Sequence, residues 1–475
     1  MTGAITLIGK YVIILLMILY TAGAFLALRV RRYRALQERC VSLSIITILL
    51  HGTAFLVIYA NQRDFSDILF YLAQVAFIVA GLAVYRAVYP KSNQALQCHM
   101  MMFLALGFIM LTRLKRPLAY RQFAVVCVSY VFSLVIPAMF AKLKAARRWA
   151  AVTGVVGLAL LALVLAVGRS TGGAYLTIRI TDSISFQPSE FVKISFVLLI
   201  AVLFRERHDI RRILFAGAVT LAHVGVLVLC RDLGAAAIYA AAFLMMLYVS
   251  TRKPVTLLAG VGAAAAALAA SYLLFAHVRN RFAAWLDPWS IYQTGGYQIA
   301  NSLFGISTGG WFGLGLYHGE PTKIPVVVSD MIFSAICEEL GGITGICLIL
   351  ICLACLLMFI HVCAGLYLPF YRLTGIGLST IYGVQVLLNI GGAVKMIPST
   401  GVTIPFVSYG INSVVSTFIL FGIMQELYIK QQNEADRKEE QRLEAYYAME
   451  EERSARAYAG RRTRTARRRG RHGSL

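Results

Sequence analysis

Long apolar runs recur almost from one end of this chain to the other, broken by short polar connections that are mostly basic. Runs of about 17–25 residues are what a helix needs to cross a bilayer core, so the pattern predicts an all-α polytopic membrane protein. Three windows lie near the N-terminus, at 11–28, 40–60 and 67–84. Ten more follow at 98–112, 122–141, 149–167, 188–204, 212–230, 233–250, 254–276, 331–361, 370–393 and 405–428. The first window is too long for a secretory leader, has no basic segment before it beyond Lys10, and runs straight into Arg29-Val-Arg-Arg-Tyr-Arg34. The predicted organisation is an extension with three transmembrane helices (1–95), a ten-helix core (96–430) with a large outer loop at 277–329, and a basic tail (431–475). Thirteen crossings would leave the N-terminus outside and the tail in the cytoplasm.

Basic connections mark the inner side of a membrane protein. Those at 29–34, 142–148, 205–212 and Arg252-Lys253 agree with thirteen crossings. One outer connection breaks the rule, because Arg113, Lys115, Arg116 and Arg121 would face outward. It reads as a cationic rim facing an anionic substrate; the competing reading is a miscounted helix. Composition changes the picture in two ways. With 59% hydrophobic and 14% charged residues, an ordinary soluble domain is excluded. The net charge of +23 would suit nucleic acid, but it sits in loops and in the terminal RRTRTARRRGRHGSL. That tail is expected to meet membrane lipids with anionic head groups or a cytoplasmic partner, and no nucleic acid. From Gln431 onward it reads as a short amphipathic or disordered extension. Nearly all nine cysteines fall in apolar segments and read as small apolar filler rather than disulfides or metal ligands.

Four stretches carry candidate chemistry. In the first, Pro188 and Ser189 suit a helix start, and Glu190 and Lys193 share one helical face, where they can pair or meet a substrate. In the second, Asp232 is an acidic N-cap beside Arg231, with a local charge pair expected. The third, residues 281–340, is a Gly-rich and aromatic loop that delivers a single carboxylate, Asp330, to the first turn of an apolar helix. An ionisable group at a membrane boundary is costly unless used, so Asp330 reads as functional, with an N-cap as the bland alternative. Asp287, before Pro288, reads as a turn residue. On an unbroken helix Glu338 and Glu339 would lie about 80° and about 180° around from Asp330, so both cannot face one cavity with it. At least one is expected to pair with a neighbouring helix. In the fourth, 389–410, Gly and Pro break two helices at membrane depth, tolerable only where backbone lines a cavity or packs in protein. Lys395 is the cation there best placed for phosphate.

The ordered pieces Asp287-Pro288, Gly296-Tyr297-Gln298, Ser302, Gly309-Gly310, Gly313-Leu314-Gly315, Pro325, Asp330-Met-Ile-Phe333 and Glu338-Glu-Leu-Gly341 resemble the signature loop of the SEDS family. These are the FtsW/RodA/SpoVE-like peptidoglycan glycosyltransferases of shape, elongation, division and sporulation. Ser185-Phe-Gln-Pro-Ser-Glu190, Asp232-Leu-Gly234 and Pro398-Ser-Thr-Gly401 through Ser408-Tyr-Gly410 are similar to its other motifs, and the likeness covers roughly 98–430. The resemblance implies an inverting glycosyltransferase that polymerises lipid II, a polyprenyl-pyrophosphate-linked disaccharide-peptide, onto a growing glycan strand outside the bacterial cytoplasmic membrane. Asp330 would be the general base. Arg113, Arg121, Lys193, Arg231 and Lys395 would be candidate cations for the pyrophosphate, with Glu190, Asp232, Gln298, Ser302 and Ser408 completing the substrate-binding set. No covalent cofactor is implied; a divalent cation, Mg or Mn, bound with the pyrophosphate is the alternative to Lys and Arg. A class B penicillin-binding protein (a transpeptidase) is the implied partner.

The chain departs from the family where Arg231 replaces a proline, where Pro325-Val-Val-Val-Ser-Asp330 lacks a Glu and a His, at Gly173-Ala174-Tyr-Leu-Thr, and at Ser408-Tyr-Gly-Ile-Asn412. The rival classes are a lipid II flippase or transporter and a non-catalytic cell-wall scaffold. A flippase wants ionisable groups through the whole membrane depth, whereas these cluster toward one face.

Overall fold

The computed structural model describes residues 2–29, 33–142, 147–171, 174–179, 185–205 and 209–471. Parts of the basic connections 29–34, 142–148 and 205–212, the departure at Gly173 and the last four residues of the tail lie outside the described residues. The protein is built from helices: α1 (Thr2–Arg29), α2 (Tyr33–Gln62), α3 (Phe65–Val88), α4 (Gln94–Lys142), α5 (Arg147–Val167), α6 (Pro188–Leu203), α7 (Ile210–Leu229), α8 (Leu233–Thr251), α9 (Pro254–Leu274), α10 (Ala276–Leu286), α11 (Tyr297–Gly309), α12 (Ile332–Leu340), α13 (Gly342–Gly365), α14 (Pro369–Ala393) and α15 (Ile411–Arg471). Among the described residues, ten helices are long and apolar enough to cross a membrane, and α5 and α6 are apolar as well. The fold is that of an all-α polytopic membrane protein. A three-stranded antiparallel sheet joins α5 to α6, formed by β1 (Arg169–Thr171), β2 (Ala174–Arg179) and β3 (Ser185–Phe186), which the apolar pattern does not announce.

Two boundaries differ from the sequence reading, each for a local reason, and a third agrees with it. The windows 98–112 and 122–141 are two helical arms of α4, as expected; they part at Lys115 (φ −153°, ψ 86°) and fold back so that the Phe108 and Phe123 rings lie 5.5 Å apart. Pro117, just past this reversal, suits it, because its ring has no N–H and clashes with the carbonyl four residues back in a continuous helix. The window 331–361 is two helices, α12 and α13, broken at Gly341, whose φ of 91° suits only glycine. Loop 310–315 lies along this break. Leu314 N donates to Glu338 O (2.9 Å), Gly315 N to Glu339 O (2.8 Å) and Gly342 N to Gly310 O (2.8 Å), which supplies partners to the free ends of both helices. A Cβ on Gly313 would sit 2.5 Å from Gly341 N, so the approach is possible only without side chains. The last window begins at Ile411 rather than 405, because Thr400–Gly410 is irregular backbone.

The chain divides into two units between Leu427 and Tyr428. In the first, the N-terminal helices belong to the same body as the rest: α1 packs on α2 and α13, and Lys10 Nζ donates to Gly313 O at 2.9 Å. By contrast α9 has no buried residue, as befits a helix whose faces meet lipid. The second unit is helical to Arg471, with residues 435–454 exposed, a longer ordered element than the short extension expected.

Candidate active site

Four of the residues singled out from sequence line one cavity of about 390 Å³: Glu190, Lys193, Asp232 and Asp330. They come from three elements distant in sequence, and local chemistry explains each placement. Pro188 opens α6, so Glu190 falls in its first turn. Lys193 Nζ lies 2.6 Å from Glu190 Oε2, an i,i+3 ion pair, and donates to Gln385 Oε1 at 3.0 Å. Glu190 Oε2 also accepts from Ser416 Oγ (2.8 Å). The pair is therefore formed, and it also faces the cavity, so neither alternative read from the sequence displaces the other. Asp232 caps α8 as expected, Oδ1 accepting from Ala235 N (3.0 Å), while Oδ2 accepts from Ser189 Oγ (3.2 Å) and so ties α8 to α6. Burial raises its pKa.

Asp330 sits just before α12 on irregular backbone strapped from two sides. Ser408 Oγ donates to Ser329 O (2.6 Å), Tyr409 N donates to Val328 O (2.7 Å), and Asn389 Nδ2 donates to Asp330 O (2.9 Å) and to Val402 O (2.6 Å). Gly401, with φ 76°, faces the carboxylate: a Cβ there would lie 3.6 Å from Asp330 Oδ2. Asp330 is not an N-cap; Met331 occupies that position and makes no side-chain cap bond. Burial pushes the Asp330 carboxyl above its ordinary value, against the opposing effects of the Ser329 hydroxyl and the Arg281 guanidinium.

Arg281 is the residue that sequence reading missed. It lies on α10, its Nη1 donating to Ser399 O (2.8 Å), and its charge acts on both Asp232 and Asp330. Its only sequence signal was a position at the head of the Gly-rich loop. Arg231, next to Asp232, sits at φ 65° in the α7–α8 junction, and the Arg281 charge reaches Asp232 from α10.

The remaining candidates sit elsewhere. Arg113 is bound to Glu339 (2.8 Å), donates to Gly319 O (3.3 Å) and lies over the Tyr317 ring. Glu339 is fully buried and also accepts from Tyr317 N (3.1 Å), whereas Glu338 accepts from Glu320 N (2.7 Å). Both glutamates thus clamp the 317–320 loop. Arg116 pairs with Asp64 and with Asp67 (2.8 Å). Two of the four basic residues of this connection, Arg113 and Arg116, are thus paired with acids from elsewhere in the chain, while Lys115 and Arg121 are exposed. Arg121 is exposed, and its charge reaches the Tyr409 hydroxyl, which lines the cavity. Ser302 is buried, bonded to Ser334 Oγ (2.5 Å) and Ala393 O (2.7 Å), an inter-helix link between α11, α12 and α14. Gln298 lies half-exposed on α11, and Lys395 has φ 60°, its carbonyl accepting from Trp285 Nε1 (3.1 Å) and its charge acting on Asp287. Asp287 makes the expected turn, Oδ1 accepting from Trp289 N (3.1 Å). Among the described residues no three His, Cys, Asp or Glu side chains are grouped to hold a metal.

The chain and its fold have relatives among known proteins. The cell cycle protein family of FtsW, RodA and SpoVE matches residues 93–433. The chain belongs to that family. It is 29% identical over 409 residues to the peptidoglycan glycosyltransferase RodA of Mycobacterium tuberculosis, covering 79% of this chain and 86% of that protein. It is 28% identical over 292 residues to the stage V sporulation protein E of Bacillus subtilis, covering 58% and 78%. Among solved structures it resembles a chain of a peptidoglycan synthase complex in which polymerization and crosslinking are coordinated, with TM-score 0.60, 26% identity, and coverage of 72% of this chain and 98% of that one. The rod shape determining protein RodA of Thermus thermophilus shares the fold, with TM-score 0.54 over 71% of this chain and 96% of that one, at 24% identity.

Proposed function

We propose that this protein is a peptidoglycan glycosyltransferase that extends glycan strands from lipid II at the outer face of the cytoplasmic membrane. The observation that carries the reading is Asp330, a raised-pKa carboxylate held over a cavity that also presents Lys193 and lies within the field of Arg281. The acceptor sugar's 4-hydroxyl gives its proton to Asp330 as its oxygen bonds to C1 of the growing strand, on the face opposite the departing lipid pyrophosphate, so the anomeric centre inverts. One carboxylate suffices because the leaving group needs no proton. Charge building on the pyrophosphate is met by Lys193, released in part from Glu190, and by Arg281. A divalent ion would enter on the substrate's own phosphates, since the described residues offer no cage for one, and no step depends on it. The relatives' names and the synthase-complex neighbour support the activity and a transpeptidase partner of the class B penicillin-binding type. Purified protein given labelled lipid II, with and without that partner, should yield polymeric glycan. Absence of product under both conditions, from folded protein, would overturn the reading.

Two expectations belong with it. Arg281→Gln should lower kcat/KM by about 10–100-fold, the scale of one charged hydrogen bond. Because Arg281 holds the Asp330 pKa down, its loss should also move the acid limb of the pH–rate profile to higher pH. A merely structural role would leave that limb in place. The second concerns the membrane face. Single cysteines at Thr2, Thr294 and Ser474, in a cysteine-depleted background, should label with an impermeant thiol reagent in intact protoplasts at the first two positions, and at the third only after lysis. Labelling of the tail from outside would put Asp330 in the cytoplasm and end the proposal of an extracellular polymerase.

A further inference from the structure

A second cavity, of about 280 Å³, opens between α2, α3 and the start of α4, and shares no lining residue with the one that holds Asp330. Its walls are apolar: Val41, Ile45, Ile48, Val79, Leu82 and Ala83. Val41, Ile45 and Val79 are about half exposed, at 53%, 51% and 50%, so the groove is open on the side that faces lipid. Its other end is polar. Four of its lining residues, Tyr85, Ser92, Gln94 and Gln97, each carry a buried polar side-chain atom (OH, Oγ, Nε2 and Oε1) with no hydrogen-bond partner. Native structures rarely leave one such atom unmatched, and here four gather in one place. Arg86 stands at the same cavity, exposed and without a carboxylate partner among the described residues.

The set has a definite chemistry. Tyr85, Ser92 and Gln94 can each donate to an oxygen, Arg86 adds a positive charge, and Gln97 Oε1 needs a donor. An apolar slot with a donor-rich cationic head and one acceptor matches an acyl chain joined to an anionic phosphodiester that carries a free hydroxyl. We infer that this groove is a binding site for one anionic glycerophospholipid of the phosphatidylglycerol kind, with phosphate oxygens on Arg86, Tyr85, Ser92 and Gln94, a head-group hydroxyl on Gln97, and an acyl chain along α2 and α3. The surrounding bilayer supplies such a ligand, and the helices that form the site are long and apolar enough to lie in it. None of these residues is used in the glycosyl transfer, so the site stands apart from the proposed activity.

The test uses the full chain purified in detergent and titrated separately with phosphatidylglycerol, phosphatidylcholine and soluble glycerol phosphate, with retained lipid counted by native mass spectrometry. One phosphatidylglycerol should be retained, at least fivefold more tightly than phosphatidylcholine. Arg86→Gln should weaken it about fivefold, the worth of one basic residue at a membrane surface. Ala83→Phe and Val79→Trp, both on the open side, should fill the slot and abolish retention while melting like the wild type in lipid-free detergent. Equal retention of the two lipids, or unchanged retention in Arg86→Gln and in the slot-filling variants, would overturn the inference. Competition by glycerol phosphate at concentrations that match the lipid would show a site for a free phosphate ester, and the lipid assignment would fall. Should a slot-filling variant fail to fold, the exposed Arg86 still decides.

Discussion

Asp330→Asn is expected to lower glycan polymerisation by about 10²–10⁴-fold while leaving the protein folded and inserted. The fold should survive because Asn389 bonds the Asp330 main-chain oxygen, and Ser408 and Tyr409 bond the two residues before it. The carboxylate itself holds none of these straps. Its amide analogue keeps shape and loses only the capacity to take a proton. The wild-type enzyme should also show an acid limb in its kcat/KM profile above the ordinary aspartate range, since burial raises this carboxyl and only its ionised form is a base. Wild-type rates from an Asn variant present at normal levels would sink the assignment.

The second large effect is on stability. Arg113→Met should destabilise the protein by about 3–5 kcal/mol, because it leaves the fully buried Glu339 carboxyl without its cation. The damage should reach the 317–320 loop, where Arg113 and Glu339 also hold Gly319 O and Tyr317 N. Adding Glu339→Gln removes the stranded carboxyl and should recover most of the loss. Thermal unfolding in detergent distinguishes this from a role in substrate binding. If Arg113→Met melts like the wild type yet polymerises poorly, Arg113 meets substrate rather than the loop.

Much of the fold is legible in the sequence because a bilayer imposes so strict a length and polarity on anything that crosses it. The helices α1, α2 and α3 fall where their apolar windows lie. The misreadings occur where backbone geometry, rather than hydropathy, decides. Hydropathy cannot see that Gly341 divides 331–361 in two, or that 400–410 runs as irregular backbone before α15. The charged positions misled for a related reason. Arg113 and Arg116 look like an exposed rim in a linear chain, yet their partners Glu339, Asp64 and Asp67 come from other helices. Arg281 escaped notice because nothing local distinguishes it; it matters through Asp232, 49 positions earlier, and Asp330, 49 positions later.

By itself the sequence determined the membrane class, the position of the apolar helices and the four motif-bearing stretches, since all of these depend on composition and short-range order. It also singled out Asp330, because a carboxylate beside an apolar helix is costly wherever the chain places it. Only the tertiary structure decided which charges meet. It drew Glu190, Lys193, Asp232 and Asp330 to one cavity, turned Arg113 and Glu338-Glu339 into clamps on a loop, and gathered four residues with unsatisfied polar atoms at a groove between α2, α3 and α4. Those outcomes depend on distances between segments far apart in the chain, and a charge or hydrogen-bond donor takes its role from what packing sets opposite it.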